Sequence, residues 1–252
     1  MTNTLLLLCP LGVFFFSAAI FLLPRRVTSE TFATPEGPAW RSWGAPATAV
    51  LAGLPGMVAA FSCLLSGQIL EWRHVWALPF GSFHLRLDPL SAWFAVLLYA
   101  VAFLGAWHGG QKPVRRSNWS GYFLLCGGML LLLLAWDAVL FLMAWEIMSL
   151  AAWILIMNRH TRPHARRAGW FYFIVTHAST ACLMLMFALL WKHAHHSFSF
   201  NAFTGLALPA AAANAAFILA VIGFGSKAGF CGFRQKEMKS GALARSSRYS
   251  GR

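Results

Sequence analysis

Acidic side chains are scarce in this sequence. Its 252 residues include only seven Asp and Glu, and charged residues of both signs make up 11%, against 59% hydrophobic residues. A soluble domain needs a much larger charged surface, so this composition excludes an ordinary soluble protein and indicates a membrane protein.

The cysteines are too dispersed to form a recognisable site. They lack the paired spacing that zinc, iron–sulfur and redox sites use, and most of them fall inside apolar runs. We interpret them as small packing residues, and we expect no metal site and no cofactor in this chain. The cysteines are Cys9, Cys63, Cys126, Cys182 and Cys231.

Long apolar runs are what the sequence does contain. Runs such as LLLLCPLGVFFFSAAIFLL lack the apolar and polar alternation of an outer-membrane barrel and are long enough to cross a bilayer as helices. The sequence therefore predicts an all-α membrane bundle of about seven transmembrane helices, in one domain of residues 1–230. We place the helices near 4–23, 46–66, 89–107, 120–135, 138–157, 168–191 and 208–230.

Basic residues are concentrated in alternate connections between these helices. The first, third and fifth connections hold ten of them, and the second, fourth and sixth hold three. This asymmetry predicts a protein of the inner (plasma) membrane with its N-terminus outside and its C-terminus in the cytoplasm. The basic residues behind the net charge of +13 lie in the connections and in the last stretch of the chain, not on one soluble face, so we expect no nucleic-acid partner. The ten are Arg25, Arg26, Arg41, Lys112, Arg115, Arg116, Arg159, Arg162, Arg166 and Arg167, and the three are Arg73, Arg86 and Lys192.

The second connection, residues 67–89, interleaves aromatic and charged residues. We expect a hairpin or interfacial structure there, with its aromatic side chains packed against the bundle. The alternative is that these side chains lie at the level of the lipid headgroups. They are Trp72, Trp76, Phe80 and Phe83.

One carboxylate, that of Glu146, lies near the middle of the fifth predicted helix. An acidic side chain at the centre of a spanning helix costs roughly 2.5 kcal/mol or more, so it usually faces the bundle interior or a water-filled path and has a function there. The alternative is a structural group, protonated or paired. Two other acids precede helices, and we expect Asp88 and Asp137 to be N-caps of the third and fifth helices.

Three stretches together resemble one family. They are LDPLSAWF at 87–94, AWDAVLFLMAWEIMSLAAWILI at 135–156 and IGFGSKAG at 222–229. In this order they are similar to the antiporter-like proton-translocating subunits shared by respiratory complex I, multisubunit sodium/proton antiporters and membrane-bound hydrogenases. A fourth stretch, FIVTHAST at 173–180, is most similar to the branch found in hydrogenase-4 and formate hydrogenlyase, the subunit type called hydrogenase-4 component B.

The resemblance implies a proton pathway through three residues. Glu146 corresponds to the family's glutamate on the fifth helix and Lys227 to its lysine on the seventh, the pair assigned to gating a proton half-channel. His177 lies where the family carries a basic or polar residue on the sixth helix. Titratable groups of these types respond strongly to burial and to neighbouring charge. The alternatives are that Lys227 snorkels to the headgroups and that His177 is a hydrogen-bonded histidine of the bundle.

The resemblance also implies a function. We expect a proton half-channel in a membrane-bound hydrogenase or complex I-like oxidoreductase, in a lipid bilayer and driven by electron transfer in other membrane and peripheral subunits. Protons, or alternatively sodium ions, are the species transported, and no catalysis is expected from this chain alone. The alternatives are a scaffold that moves no protons and an independent cation/proton antiporter.

The family's pattern stops after residue 229. Residues 227–252 contain seven basic residues and one acid, a composition typical of a disordered basic tail, which we place at 231–252. We therefore expect an N-terminal fragment of a longer subunit, the alternative being a genuine short subunit.

Overall fold

The computed structural model describes residues 2–22, 40–74, 76, 81–111, 116–158 and 161–229. Seven helices within these ranges are long and apolar enough to cross a membrane, so the prediction of an all-α membrane protein with about seven transmembrane helices is confirmed. The predicted tail at 231–252 and Phe80 lie outside the described residues. The spanning helices are α1 (Thr2–Leu22), α2 (Trp40–Ser66), α3 (Pro89–Gly110), α4 (Arg116–Leu134), α5 (Ala138–Met157), α6 (Pro163–His193) and α8 (Ala210–Lys227), and the other elements are β1 (Leu70–His74), β2 (Phe83–Leu87) and the short α7 (Phe200–Phe203).

Several helices begin earlier than their apolar runs predict. Helix α6 begins at Pro163, whereas the apolar run begins near residue 168, so Arg166 and Arg167 lie in its first turns. Proline suits a helix start because its fixed φ is helical and the N–H that it lacks would have no partner there. Helix starts in this chain therefore depend on backbone chemistry as well as on hydrophobicity.

The spanning helices pack in a simple spatial order. Neighbouring contacts run α3, α2, α1, α4, α5, α6 and α8, and α3 also contacts α4. The main core lies among the first four helices, where the ring of Phe14 stacks on those of Tyr99 and Phe123. A second, smaller core joins α5, α6 and α8 around Trp145 and Phe187. The functional site described below borders this second core.

One end of the bundle carries a platform built from three connections. Strands β1 and β2 pair antiparallel, the N–H of Trp136 donates to the carbonyl of His84 (2.9 Å), and the N–H of Ala138 donates to the carbonyl of Phe198 (2.9 Å). Residues 135–137 therefore lie between β2 and the segment that follows α6. We call β1, β2, residues 135–137 and residues 198–200 the connection platform.

Asp137 fastens this platform to the start of α5. Its side chain is 2% exposed and accepts hydrogen bonds from the N–H groups of Val139 (2.9 Å) and Ser82 (3.1 Å), so Asp137 occupies the N-cap position of α5. Burial raises the pKa of the Asp137 carboxyl above its usual range, and these hydrogen bonds act in the opposite direction. Gly81 has a φ of +72°, and a Cβ at this position would lie 2.7 Å from the Asp137 carboxylate. Only glycine fits there without strain.

The other predicted cap lies at the start of α3. The Asp88 side chain accepts a hydrogen bond from the Ser91 N–H (2.7 Å), which occupies one of the free amides of the first turn. On the preceding hairpin, Trp72 and Trp76 pack edge-on against Phe83, with ring centroids 5.6 and 6.0 Å apart. These contacts agree with packing rather than with an isolated position at the headgroups.

Candidate functional site

Helices α5 and α6 bring Glu146 and His177 into contact near the midpoint of each helix. Glu146 is the ninth of the 20 residues of α5, and its Oε2 lies 3.4 Å from the Nε2 of His177. The Nδ1 of His177 lies 2.9 Å from the Phe173 carbonyl one turn earlier in α6. Because a carbonyl oxygen can only accept, Nδ1 carries a proton, and Nε2 is the nitrogen that faces the carboxylate.

This geometry lets the two side chains share one proton. Neutral His177 presents a bare Nε2, which accepts a hydrogen bond from a protonated Glu146. Protonated His177 instead donates from Nε2 to an ionised Glu146. Transfer across the 3.4 Å contact interconverts these two states without any change in net charge. The Glu146 side chain is 29% exposed and the His177 side chain 38% exposed, so the pair borders the surface of the described bundle.

Lys227, the last residue of α8, lies beside the same face of α5. Its Nζ donates a hydrogen bond to the hydroxyl of Ser149, which is 1% exposed. The ammonium also lies 5.1 Å from the centre of the Trp145 ring and 5.8 Å from that of Tyr172. Both distances are within the range of cation–π attraction, about 6 Å.

Glu146 and Lys227 are near each other without forming an ion pair. Within the described residues, no carboxylate lies within 4.0 Å of the Lys227 ammonium, and the carboxylate of Glu146 contacts His177 instead. Glu146 and Ser149 are three residues apart and so share a face of α5. The family resemblance implied an opposed glutamate and lysine, whereas this structure holds each residue on a different partner.

The Lys227 ammonium does not point to the end of the neighbouring helix. Its partner Ser149 precedes Met157 by eight residues, which is about 12 Å along α5 at 1.5 Å per residue. The geometry therefore differs from a lysine that snorkels to the headgroups.

A glycine of α8 explains how Lys227 reaches this position. A Cβ on Gly223 would lie 2.5 Å from Cδ2 of Leu183, and the Ser179 hydroxyl donates to the Gly223 carbonyl. Helix α8 can approach α6 this closely only because position 223 has no side chain. The approach brings Lys227 beside Tyr172 of α6.

The five predicted site residues fall into two groups. Glu146, His177 and Lys227 meet at the site, whereas Asp88 and Asp137 lie at helix starts, away from it. Sequence reasoning missed three residues that line the site. Two of them carried a signal, because Trp145 adjoins Glu146 and Ser149 follows it by three residues on one helix face. Tyr172 carried none, because only the packing of α8 on α6 places it there. The three are Trp145, Ser149 and Tyr172.

Sequence comparisons link this chain to known membrane proteins. Residues 135–235 match the family described as "NADH:quinone oxidoreductase/Mrp antiporter, TM". The chain is 29% identical over 193 residues to hydrogenase-4 component B of Escherichia coli (strain K12), an alignment that covers 72% of this chain and 28% of that protein. The chain thus spans less than a third of this relative's length.

Solved structures share the fold. The Mrp complex from Dietzia sp. DQ12-45-1b contains a chain with a TM-score of 0.67 and 19% identity, over 90% of this chain and 24% of that one. Respiratory complex I from Thermus thermophilus contains a chain with a TM-score of 0.60 and 19% identity, over 89% of this chain and 43% of that one. These likenesses concern the fold alone. With the sequence matches, they confirm the resemblance found in the sequence: the chain is a multi-pass membrane protein similar to the antiporter-like subunits of such complexes.

Proposed function

We propose that this chain forms a proton half-channel in a membrane-bound hydrogenase or related complex I-like oxidoreductase. Electron transfer in partner subunits drives the movement of protons, and the chain itself catalyses no reaction. The observation that carries the proposal is the meeting of Glu146, His177 and Lys227 on three spanning helices, with Glu146 in contact with His177.

The chemistry of these groups suits stepwise proton transfer. A proton path through hydrocarbon needs side chains that bind and release protons, and such residues are rarely placed inside a membrane without a function. The Glu146 and His177 pair exchanges a proton over a single contact. The Lys227 ammonium contacts Ser149, which follows Glu146 by about one turn of α5. The position of this charge therefore changes the electrostatic potential at the Glu146 and His177 pair. A lysine that moves toward or away from Glu146 would therefore control when the proton leaves.

The exposure of the pair supports assembly with other subunits. A carboxylate at mid-membrane depth is poorly accommodated by lipid, and Glu146 and His177 are 29% and 38% exposed on the described bundle. Protein from another segment or subunit, or a water-filled path, must therefore adjoin them. The similar proteins include a hydrogenase component, hydrogenase-4 component B, and chains of two complexes, respiratory complex I and the Mrp complex.

The same proposal includes an orientation in the inner membrane. Ten basic residues in the odd connections against three in the even ones favour an external N-terminus and a cytoplasmic C-terminus. The connection platform then lies on the outer face. In this proposal residues 1–230 form one transmembrane domain.

The test is proton pumping by membrane vesicles that contain the assembled complex, with electron donor added. Glu146→Gln keeps the size of the side chain but removes its charge, and we expect it to lower flux per assembled complex by about tenfold or more. Glu71→Gln makes the same chemical change on the hairpin, away from the site, and should pump normally. Normal pumping by assembled Glu146→Gln complexes would contradict the proposal and favour a scaffold role.

A further inference from the structure

We propose that Ser149 is a positioning residue that gives the Lys227 ammonium a second binding position, beside Trp145 and Tyr172 and separate from Glu146. The inference rests on the proposed function, because it describes where the lysine goes when it is not paired with the glutamate. It assigns a role to three side chains that line the site without being among the titratable residues of the proton path.

The hydrogen bonding of Ser149 makes its oxygen an acceptor for the lysine. The Ser149 hydroxyl donates to the Trp145 carbonyl (2.7 Å), a bond within α5 that uses its only proton. The oxygen then offers its lone pairs, and Lys227 Nζ donates to it. Because Ser149 is 1% exposed, this acceptor is sheltered from solvent and from lipid.

Two aromatic rings make the position selective for a cation. The Lys227 ammonium lies 5.1 Å from the Trp145 ring centre and 5.8 Å from the Tyr172 ring centre. Ring faces attract an ammonium ion but offer little to a neutral amine. The three side chains together form a site for a charged lysine.

The lysine can move between its two positions while the helices stay still. Glu146 and Ser149 share a face of α5 and are about 4.5 Å apart along the helix axis. The flexible four-carbon stem of Lys227 is long enough to reach either one by rotation about its own bonds. In this structure Glu146 contacts His177 and Lys227 contacts Ser149. The alternative state pairs Lys227 with Glu146 and releases His177.

The titratable neighbours of the Lys227 ammonium come from two helices. Among the described residues of this site they are Tyr172 on α6 and Glu146 on α5, and Glu146 in turn contacts His177 on α6. Ser149 and Trp145 do not titrate in the working range, so substituting Ser149 changes the environment of the lysine without removing a proton carrier. The pH profile of pumping is therefore the informative measurement.

The experiment compares Ser149→Ala with Ser120→Ala in vesicles that contain the assembled complex. Ser120 is also buried, and its hydroxyl bonds across helices to the Ala18 carbonyl, far from Lys227, which makes it a matched control. Loss of the Ser149 acceptor disfavours the ammonium form, so we expect the alkaline limb of the pH profile to move to lower pH by about one unit. Ser120→Ala should leave the profile unchanged, and Ser149→Thr should restore it because the hydroxyl is kept.

Tyr172 provides a second test that does not depend on a buried position. Tyr172→Leu removes the ring and should move the alkaline limb in the same direction, whereas Tyr172→Phe keeps the ring and should not. An unchanged profile in assembled Ser149→Ala overturns the inference. If Ser149→Ala does not assemble, the Tyr172 variants provide the test. A pH profile of Tyr172→Leu equal to that of Tyr172→Phe then overturns the inference. Normal pumping in Glu146→Gln instead overturns the proposed function, so the two failures are distinguishable.

Discussion

The carboxylate of Glu146 lies 3.4 Å from the imidazole of His177, whereas the ammonium of Lys227 donates to the hydroxyl of Ser149, so the acid is paired with the histidine and the lysine with a hydroxyl. This arrangement places the acid and the two bases on three different spanning helices. A substitution at each of them therefore tests a different contact.

Changes at His177 test whether proton sharing with Glu146 matters. His177→Gln keeps a hydrogen-bonding side chain but cannot carry a positive charge, so we expect assembled complexes to pump about tenfold more slowly. Glu146→Asp withdraws the carboxylate by about one methylene and should keep part of the activity. The measurement is uncoupler-sensitive acidification by vesicles, divided by the amount of assembled complex. His193→Gln is the control, since within the described residues the His193 ring hydrogen-bonds to the Leu189 carbonyl one turn earlier in its own helix. Equal rates for His177→Gln and the unmodified protein would leave His177 as a structural histidine.

The lysine and the glutamate should behave as one unit. Lys227→Ala removes the charge that acts on the Glu146 and His177 pair, and we expect it to lower pumping as strongly as Glu146→Gln. Combining the two changes should add little, because the effects of residues that act together are not additive. Pumping rates of the two single variants and of the double variant, measured at equal assembly, give the coupling. Multiplicative losses in the double variant would mean that the two residues act independently.

Charge asymmetry predicts the orientation of the chain. Reporter domains fused after Arg116 or Arg167 should be active only if the reporter works in the cytoplasm, and a reporter fused near Ser197 only if it works outside. The assay is paired alkaline phosphatase and green fluorescent protein activity at each site. Activity of the same reporter at residues 116 and 197 would contradict the orientation and the alternation of the helices.

The close approach of α8 to α6 depends on Gly223. A Cβ there would lie 2.5 Å from Leu183, so Gly223→Ala should force the helices apart and destabilise the protein by about 1–3 kcal/mol. It should also lower pumping, because Lys227 is carried on the same helix. The matched control is Gly12→Ala on α1, where nothing lies within 4 Å of the added methyl. Thermal unfolding in detergent compares them, and equal melting temperatures would show that α8 tolerates the added methyl.

The cap at Asp137 should make stability depend on pH. Asp137→Ala loses the hydrogen bonds to Val139 and Ser82 and should destabilise the protein by about 1–3 kcal/mol. Because burial raises the pKa of the Asp137 carboxyl in the folded state, the native chain binds more protons than the unfolded one. The contribution of the Asp137 carboxyl to the free energy of unfolding is therefore largest below its pKa in the unfolded state and declines as pH rises through its pKa in the folded state.

Asp137→Asn isolates this pH effect, because the amide can still cap the helix but cannot ionise. We expect the difference in melting temperature between Asp137→Asn and the unmodified protein to grow in favour of Asn as pH rises. A difference that is constant from acid to neutral pH would contradict the assignment.

The spanning helices and the central acid were predictable because the bilayer imposes them. About 20 apolar residues are needed to cross it, and a lone carboxylate such as Glu146 is conspicuous in such a run. The start of α6 at Pro163 was not, because apolar content does not register how proline begins a helix. Ser149 and Tyr172 were not singled out either. A serine in an apolar helix commonly bonds to its own backbone, and only the third dimension shows that its oxygen also accepts from Lys227.

The connection platform holds the start of α5 in place, so a tilt of this helix would pivot about residues 136–138. Backbone hydrogen bonds hold residues 136–138 on both sides, whereas at the opposite end of α5 the Asn158 side chain donates one hydrogen bond to Asn118 of α4 (2.6 Å). Glu146 is roughly 13 Å from this hinge and Met157 roughly 30 Å, at 1.5 Å per residue. A tilt of about 5° would then displace Glu146 by roughly 1 Å and Met157 by more than twice as much. A displacement of about 1 Å away from α6 would open the 3.4 Å contact between Glu146 and His177 beyond hydrogen-bond distance.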